Sequence, residues 1–375
     1  MIDEIPLCRP SIGEDEIQAI ADVFRSGWLA HGEYNHKFEA LFAKTIGVPH
    51  AIAMNSCTSA LEVALKVAGI KGEVIVPSMT WVATANVVKT AGGTPVFCEV
   101  DPATRNVTAA TIAACLTPRT EAVIVVHFGG QPCAMDDIVM LCNSKNLFLV
   151  EDSAETLGAT WQGRQAGSFA VGCFSFFPTK NITTGEGGML TCTDEAFQRK
   201  ARMMISHGVS STTFARERKE RPWIRAAEMA GHNFRMPNPL AALGLSQLKK
   251  LADLNARRNK IADRYRASLV SLPLKLPEIA AGATHVYQMF TIEVDEAVRN
   301  PALHALRADN IGASVHFDPP VHLQPAYTAD GWGEGDLPET EGLARRLITL
   351  PMYPDMSEGD VERVGTSLAR ALSTR

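Results

Sequence analysis

Residues 173–188 read Cys-Phe-Ser-Phe-Phe-Pro-Thr-Lys-Asn-Ile-Thr-Thr-Gly-Glu-Gly-Gly and deliver a single amine, Lys180. The aromatic run leads into Pro178, which has no N–H for a sheet ladder and is expected to end a strand there. An amine walled by Phe174, Phe176 and Phe177 loses the hydration that favours its charged form and becomes a usable nucleophile. Taken singly, a lysine in such a loop is more often just solvated, so its company decides.

That company stands at the ends of other apolar runs. The run Leu147–Glu151 leads into Asp152. A carboxylate there caps the next helix or faces a site as a buried acid. Beside a reactive amine it suits a pyridine-type cofactor, whose ring nitrogen needs an anionic partner to stay protonated. The run Ala51–Met54 is followed by Asn55-Ser56-Cys57-Thr58-Ser59, which opens a helix. Hydroxyls and bare N–H groups at a helix N-terminus seat an anion such as phosphate, although ordinary caps look the same. Trp81, after Val74–Val76, offers a plate for a flat ring or simply packs. His127, after Ala122–Val126, is a further strand-end candidate, and a lone histidine is more often structural. Phosphate seat, plate, acid and amine are together the parts that hold pyridoxal phosphate. Neither G-x-G-x-x-G nor G-x-x-x-x-G-K-[ST] occurs, which argues against a dinucleotide-fold dehydrogenase or a P-loop enzyme.

The elements that must position these groups follow from hydropathy patterning. Two helices are expected over 13–27 and 34–46, with a Trp28 loop between them. Short apolar runs then alternate with helical stretches as far as Cys192, the pattern of a mostly parallel, helix-covered sheet. Ligands of such sheets bind beyond the carboxyl ends of the strands. Residues 207–231 are polar and charge-dense, and Arg216–Arg221 is either a solvated face or a flap offering arginines to an anion. Leu240–Leu269 reads as a long amphipathic helix linking two domains. From Pro273 onward a strand (Gln288–Val294) and helices (Pro301–Asn310, Ser357–Leu372) make a small α+β unit.

Composition narrows the function classes. The 375 residues are 46% hydrophobic and 21% charged, with a net charge of −5. No basic stripe marks a nucleic-acid surface. The apolar runs fall far short of the ~20 residues that span a bilayer, so no membrane partner is expected. The acidic start MIDEIPLCRPSIGEDE lacks the apolar core of a signal peptide. Eight scattered cysteines, with no C-x-x-C, fit free thiols in a cytoplasmic protein and no metal site.

In this order and spacing the segments RPSIGEDEI, SGWLAHG, NSCTSAL, VIVPSMTWVATAN and GGTPVFCEVDP resemble the DegT/DnrJ/EryC1/StrS aminotransferases. So do EDSAETLGA, FSFFPTKNITTGEGGML, GHNFRMPNPLAALGLSQL, VHLQPAY and LPMYPDM further on. The resemblance implies an α/β fold of type I, with a large α/β/α domain around a mostly parallel seven-stranded sheet and a smaller C-terminal α+β domain. Residues 1–240 would form the cofactor-binding domain with its helical arm, and 241–375 the linking helix and small domain. It implies a pyridoxal-phosphate-dependent transaminase that moves an amino group from L-glutamate, leaving 2-oxoglutarate, to a nucleotide-linked keto-sugar. The nearest likeness is to enzymes that aminate C4, in lipopolysaccharide, other cell-surface polysaccharide or glycoside synthesis.

Carried over by position, Lys180 would bind the cofactor covalently and shuttle the proton, and Asp152 would pair with the ring nitrogen. Trp81 would stack on the ring, while Thr58, Ser59 and Ser175 would hold the phosphate. Glu155 stands where many relatives have Gln or His, near the cofactor's 3-hydroxyl. Asn233 would reach the cofactor of a second subunit, which implies a homodimer with shared active sites. Arg235, His322 and the 207–231 flap would face the sugar. Alternatives are an aminocyclitol or 3-keto-sugar substrate, a sugar dehydratase (disfavoured because Lys180 is present), and a non-catalytic regulatory relative.

Overall fold

The computed structural model describes residues 4–209 and 226–373. The first helices end where glycine takes up the left-handed backbone that other residues avoid. Helix α1 (Glu14–Ser26) stops at Gly27, φ 75°, and α2 (Glu33–Ile46) at Gly47, φ 81°. Helices α3 (Cys57–Ala68) and α4 (Ala83–Ala91) follow the first two strands of the sheet.

The strands are β1 (His50–Met54), β2 (Glu73–Pro77), β3 (Thr94–Cys98), β4 (Thr120–Val126) and β5 (Phe148–Asp152). A small hairpin, β6 (Thr160–Trp161) and β7 (Arg164–Gln165), precedes β8 (Val171–Ser175) and β9 (Gly188–Cys192). Seven of them form one sheet in the order β1-β9-β8-β5-β4-β2-β3. Only β9 runs against its neighbours, β8 and β1; every other pairing is parallel. Strand β2 shows why the parallel strands read as continuous apolar runs. Val74 and Val76 pack into one core and Ile75 into another on the opposite face, so both faces are covered. Register brings the chemistry to one edge, with Val126 beside Asp152, Asp152 beside Cys173, and Ser175 beside Gly188.

Two local expectations change. Strand β8 ends at Ser175, and the last pairing bond, Phe176 N–H to the Gly187 carbonyl (2.9 Å), comes before Pro178 is reached. A turn closed by Lys180 N–H on the Phe177 carbonyl (2.9 Å) then reverses the chain. The helix expected from Pro301 begins earlier and spans Glu296–Ala308, because Asp295 Oδ1 accepts the Ala297 N–H at 2.9 Å and caps it.

The long helix spans Asn238–Leu269, packs against α1 and α2, and sends Tyr265 and Leu269 into a separate core. That core lies under the antiparallel pair β10 (Phe290–Glu293) and β11 (Leu347–Leu350) and the helices Glu296–Ala308 and Glu358–Ser373. Ile5 joins this C-terminal unit: its N–H donates to the Asn310 carbonyl (2.9 Å), and its carbonyl accepts from Gly312 N–H (2.7 Å). The segment around Ile5 therefore lies on the C-terminal unit, and the chain then crosses to the large sheet's side. Residues 210–225, including the run Arg216–Arg221, lie outside the described residues. Among the described residues no helix is long and apolar enough to cross a membrane.

Candidate active site

Beyond the carboxyl ends of the parallel strands lies a cavity of about 520 Å³. Six of the residues expected to bind the cofactor line it: Thr58, Trp81, Asp152, Glu155, Ser175 and Lys180.

Lys180 does not stand in an aromatic cage. Phe174 and Phe176 turn into the core beneath α2, with ring centroids 4.9 Å from Phe42 and 5.3 Å from Phe38 respectively, and only Phe177 stays at the cavity. The amine faces a carboxylate instead, with Nζ 3.3 Å from Glu155 Oε1. The other carboxylate oxygen, Oε2, accepts the Gly129 N–H at 2.8 Å. Gly129 can present that N–H because it sits at φ 67° in the turn after β4, a conformation suited to glycine.

Asp152 is buried at the end of β5. Thr84 Oγ1 donates to Oδ2 at 2.9 Å and Ala154 N–H to Oδ1 at 3.2 Å. Burial pushes its carboxyl above the usual range, partly offset by these donors and by Lys180. The preceding Glu151 points to the opposite face, as strand alternation requires. There it accepts the N–H groups of Gly167 (2.8 Å), Phe169 (2.7 Å) and Ala170 (2.8 Å). His127 belongs to that buried cluster. Its Nε2 lies 3.1 Å from Glu151 Oε2, its Nδ1 accepts the Cys133 N–H at 3.1 Å, and it does not line the cavity.

At the start of α3, Ser56 Oγ accepts the Ser59 N–H at 3.0 Å, and Ser59 Oγ turns inward to Asn55 Oδ1 at 2.7 Å. Ser59 is thereby occupied as part of the cap. The cavity receives Thr58, with Cys57 and Thr58 in the first turn, where N–H groups have no acceptor within the helix. Gly188 lets β9 approach this turn closely; a Cβ there would meet Ser56 C at 2.3 Å and Cys57 N at 2.4 Å. Ser175 sits opposite Gly188 in the register. Trp81 is 64% exposed at the cavity, with its ring centroid 6.4 Å from that of Phe317.

Besides Ser59 and His127, three further expected residues, Asn233, Arg235 and His322, lie outside the cavity lining. Asn233 is exposed, and its Oδ1 accepts from Arg235 Nε at 3.1 Å, at the end of β1. His322, expected to face the sugar, is fully buried, with Ser78 and Glu341 at its two ring nitrogens. Its packing against the sheet edge removes it from direct ligand contact. Conversely, sequence reasoning missed Cys8 and His316. Cys8 Sγ donates to the Pro178 carbonyl at 3.6 Å, and burial pushes its thiol up. His316 Nδ1 lies 2.9 Å from Thr349 Oγ1, and burial lowers its pKa. No local pattern marks either residue, because long-range folding alone brings both to the cavity.

An amine, a buried acid, an exposed indole and a helix N-terminus around one cavity suit a flat, anionic ligand with a ring nitrogen. Among the described residues no group of three or more His, Cys, Asp or Glu is placed to hold a metal ion.

Known proteins are similar to this chain along nearly its whole length. The model of the DegT/DnrJ/EryC1/StrS aminotransferase family matches residues 10–369. The spore coat polysaccharide biosynthesis protein SpsC of Bacillus subtilis (strain 168) is 40% identical over 370 residues, covering 96% of this chain and 95% of its own. Among solved structures, the aminotransferase TlmJ from Streptoalloteichus hindustanus superposes with a TM-score of 0.91 at 34% identity, covering 100% of this chain and 99% of its own. DesI, solved in the presence of its TDP-sugar product, gives a TM-score of 0.89 at 30% identity over 100% of this chain and 94% of its own.

Proposed function

This chain belongs to the DegT/DnrJ/EryC1/StrS aminotransferase family and is a pyridoxal-phosphate-dependent sugar aminotransferase; we propose that it aminates C4 of a nucleotide-linked keto-sugar, with L-glutamate as donor. The observation that carries this is the convergence of Lys180, Asp152, Trp81 and the α3 N-terminus on one cavity. The TDP-sugar product of DesI supports a nucleotide-linked substrate, and the polysaccharide role in the name of SpsC supports a cell-surface product. The choice of C4 rests on the sequence resemblance.

The donor set fits the cofactor. The N–H groups opening α3, with Thr58 and Ser175, would hold its phosphate, Trp81 would cover one ring face, and buried Asp152 would keep the ring nitrogen protonated. When bound, pyridoxal phosphate supplies an electron sink for charge left on a carbon that loses its proton. Lys180 would be the covalent attachment point and, once displaced by the amino donor, the base that takes that proton and returns it. Glu155 holds the Lys180 amine in place between these roles.

The exposed Asn233 and half-buried Arg235, outside their own chain's cavity lining, support a homodimer in which each copy completes the other's site. Exposed Ile17, Phe24 and Leu29 on and after α1 add an apolar face for a second copy. We place the division between a cofactor-binding part (1–240) and a C-terminal part (241–375) within the start of the long helix. All eight cysteines are free, which supports a reducing, cytoplasmic setting.

The test is a panel of nucleotide-linked 3- and 4-keto-sugars incubated with L-glutamate. Formation of 2-oxoglutarate with the 4-keto-sugars is expected, and turnover confined to 3-keto-sugars would overturn the assignment.

A further inference from the structure

We propose that His322 is a positioning residue that sets Trp81 and Asp152 through a buried chain of hydrogen bonds. This rests on the proposed roles of those two residues toward the cofactor. The chain begins at Glu341, whose Oε1 accepts N–H groups from Gly335 (2.9 Å) and Leu337 (3.2 Å) and lies 3.2 Å from His322 Nε2. Burial would raise the Glu341 carboxyl, but His322 and the backbone donors hold it below the usual range. A carboxylate there fixes the ring proton on Nε2, so Nδ1 is the acceptor. Ser78 Oγ, 2.6 Å away, donates to Nδ1 and accepts the His322 backbone N–H at 3.0 Å.

The Ser78 carbonyl carries the link onward, accepting N–H groups from Val321 (3.1 Å) and Thr80 (3.0 Å). Thr84 spends its hydroxyl proton on Asp152 Oδ2, so Thr80 Oγ1 must be the donor across the 3.0 Å to Thr84 Oγ1. Trp81 is the residue after Thr80, and its carbonyl accepts the Thr84 N–H at 3.2 Å. Every hydroxyl, imidazole and carboxylate along this path is buried. Buried networks with all partners in place hold one arrangement. The path joins segment 321–341 to the loop that carries the indole and to the acid at the end of β5.

The order Ser78–His322–Glu341 is also that of a hydrolytic triad, but Ser78 is fully buried and does not line the active-site cavity, so its hydroxyl is not placed to attack a substrate there. Its hydroxyl is a strut.

The test uses the full chain, with and without pyridoxal phosphate, as His322→Phe, Ser78→Ala, Thr84→Val and Thr84→Ser. In cofactor-free protein, the contribution of Trp81 to acrylamide quenching is isolated by subtracting the matching Trp81→Phe protein. We expect His322→Phe and Ser78→Ala to change that quenching constant at least twofold. In loaded protein, those two and Thr84→Val should shift the pH midpoint of the cofactor's visible absorbance, while Thr84→Ser restores it. Folded variants with wild-type quenching and an unmoved midpoint would overturn the proposal. Should His322→Phe fail to fold, Ser78→Ala decides. Failure of the wild type to take up pyridoxal phosphate would sink the catalytic roles, while the cofactor-free quenching still decides the positioning of Trp81.

Discussion

Lys180 Nζ and Glu155 Oε1 lie 3.3 Å apart, and Gly129 N–H holds the second oxygen of that carboxylate at 2.8 Å. The cavity's amine is thus aimed by a carboxylate whose own orientation is set by the turn after β4. Glu155→Ala would strand the Gly129 N–H and leave Lys180 without its counter-charge, costing about 2 kcal/mol. Glu155→Gln keeps an acceptor for Gly129 and should cost about half as much. Urea unfolding of the three cofactor-free proteins measures both.

Gly188 is required by space alone. Gly188→Ala would drive a Cβ into the backbone of Ser56 and Cys57 and displace the first turn of α3. If that turn holds the phosphate, cofactor affinity should fall by at least tenfold, and equilibrium dialysis against pyridoxal phosphate reads it. Unchanged affinity would place the phosphate elsewhere.

Trp81 offers the opposite profile. Its side chain is mostly exposed, so Trp81→Ala should leave unfolding stability within about 0.5 kcal/mol of wild type. Loss of the plate should nonetheless speed release of the cofactor several-fold. A large stability loss would mean that the indole packs rather than stacks.

Acid stability is expected to depend on Glu39. Burial alone would raise this carboxyl, but Arg202 and the nearby histidines bring it from 4.5 to about 2. The guanidinium contacts both oxygens, at 3.1 and 2.8 Å, and the Ala53 N–H donates at 2.9 Å, tying α2 to β1. A folded-state pKa below the unfolded value adds stability that is fully present above pH 4.5 and is lost as pH falls toward 2. The difference corresponds to about 3 kcal/mol. Glu39→Gln should lower stability at neutral pH by about that amount and flatten the slope between pH 4.5 and 2, as followed by urea unfolding at each pH.

Much of this was readable from residue order. Val74–Val76 announced a buried strand, and Gly27 marked the end of the first helix, because these signals are local. Asp152, Trp81 and Lys180 were found because ligands of parallel sheets gather where strands end. The aromatic wall around Lys180 was misjudged because periodicity does not say which face of β8 meets α2, and the core took Phe174 and Phe176. His322 was misplaced because its partners, Ser78 and Glu341, come from different segments and join only in the folded chain. Cys8 and His316 carry no local signal. The pairing of Ile5 with the C-terminal unit brings Leu7 and Cys8 to the cavity.

The central claim is that Lys180 carries the cofactor. Borohydride reduction of protein saturated with pyridoxal phosphate, followed by peptide mass mapping, tests it most directly. A cofactor-derived mass on the peptide containing Lys180, absent from Lys180→Ala, is the predicted result. An unmodified Lys180 in fully loaded, reduced protein would contradict it.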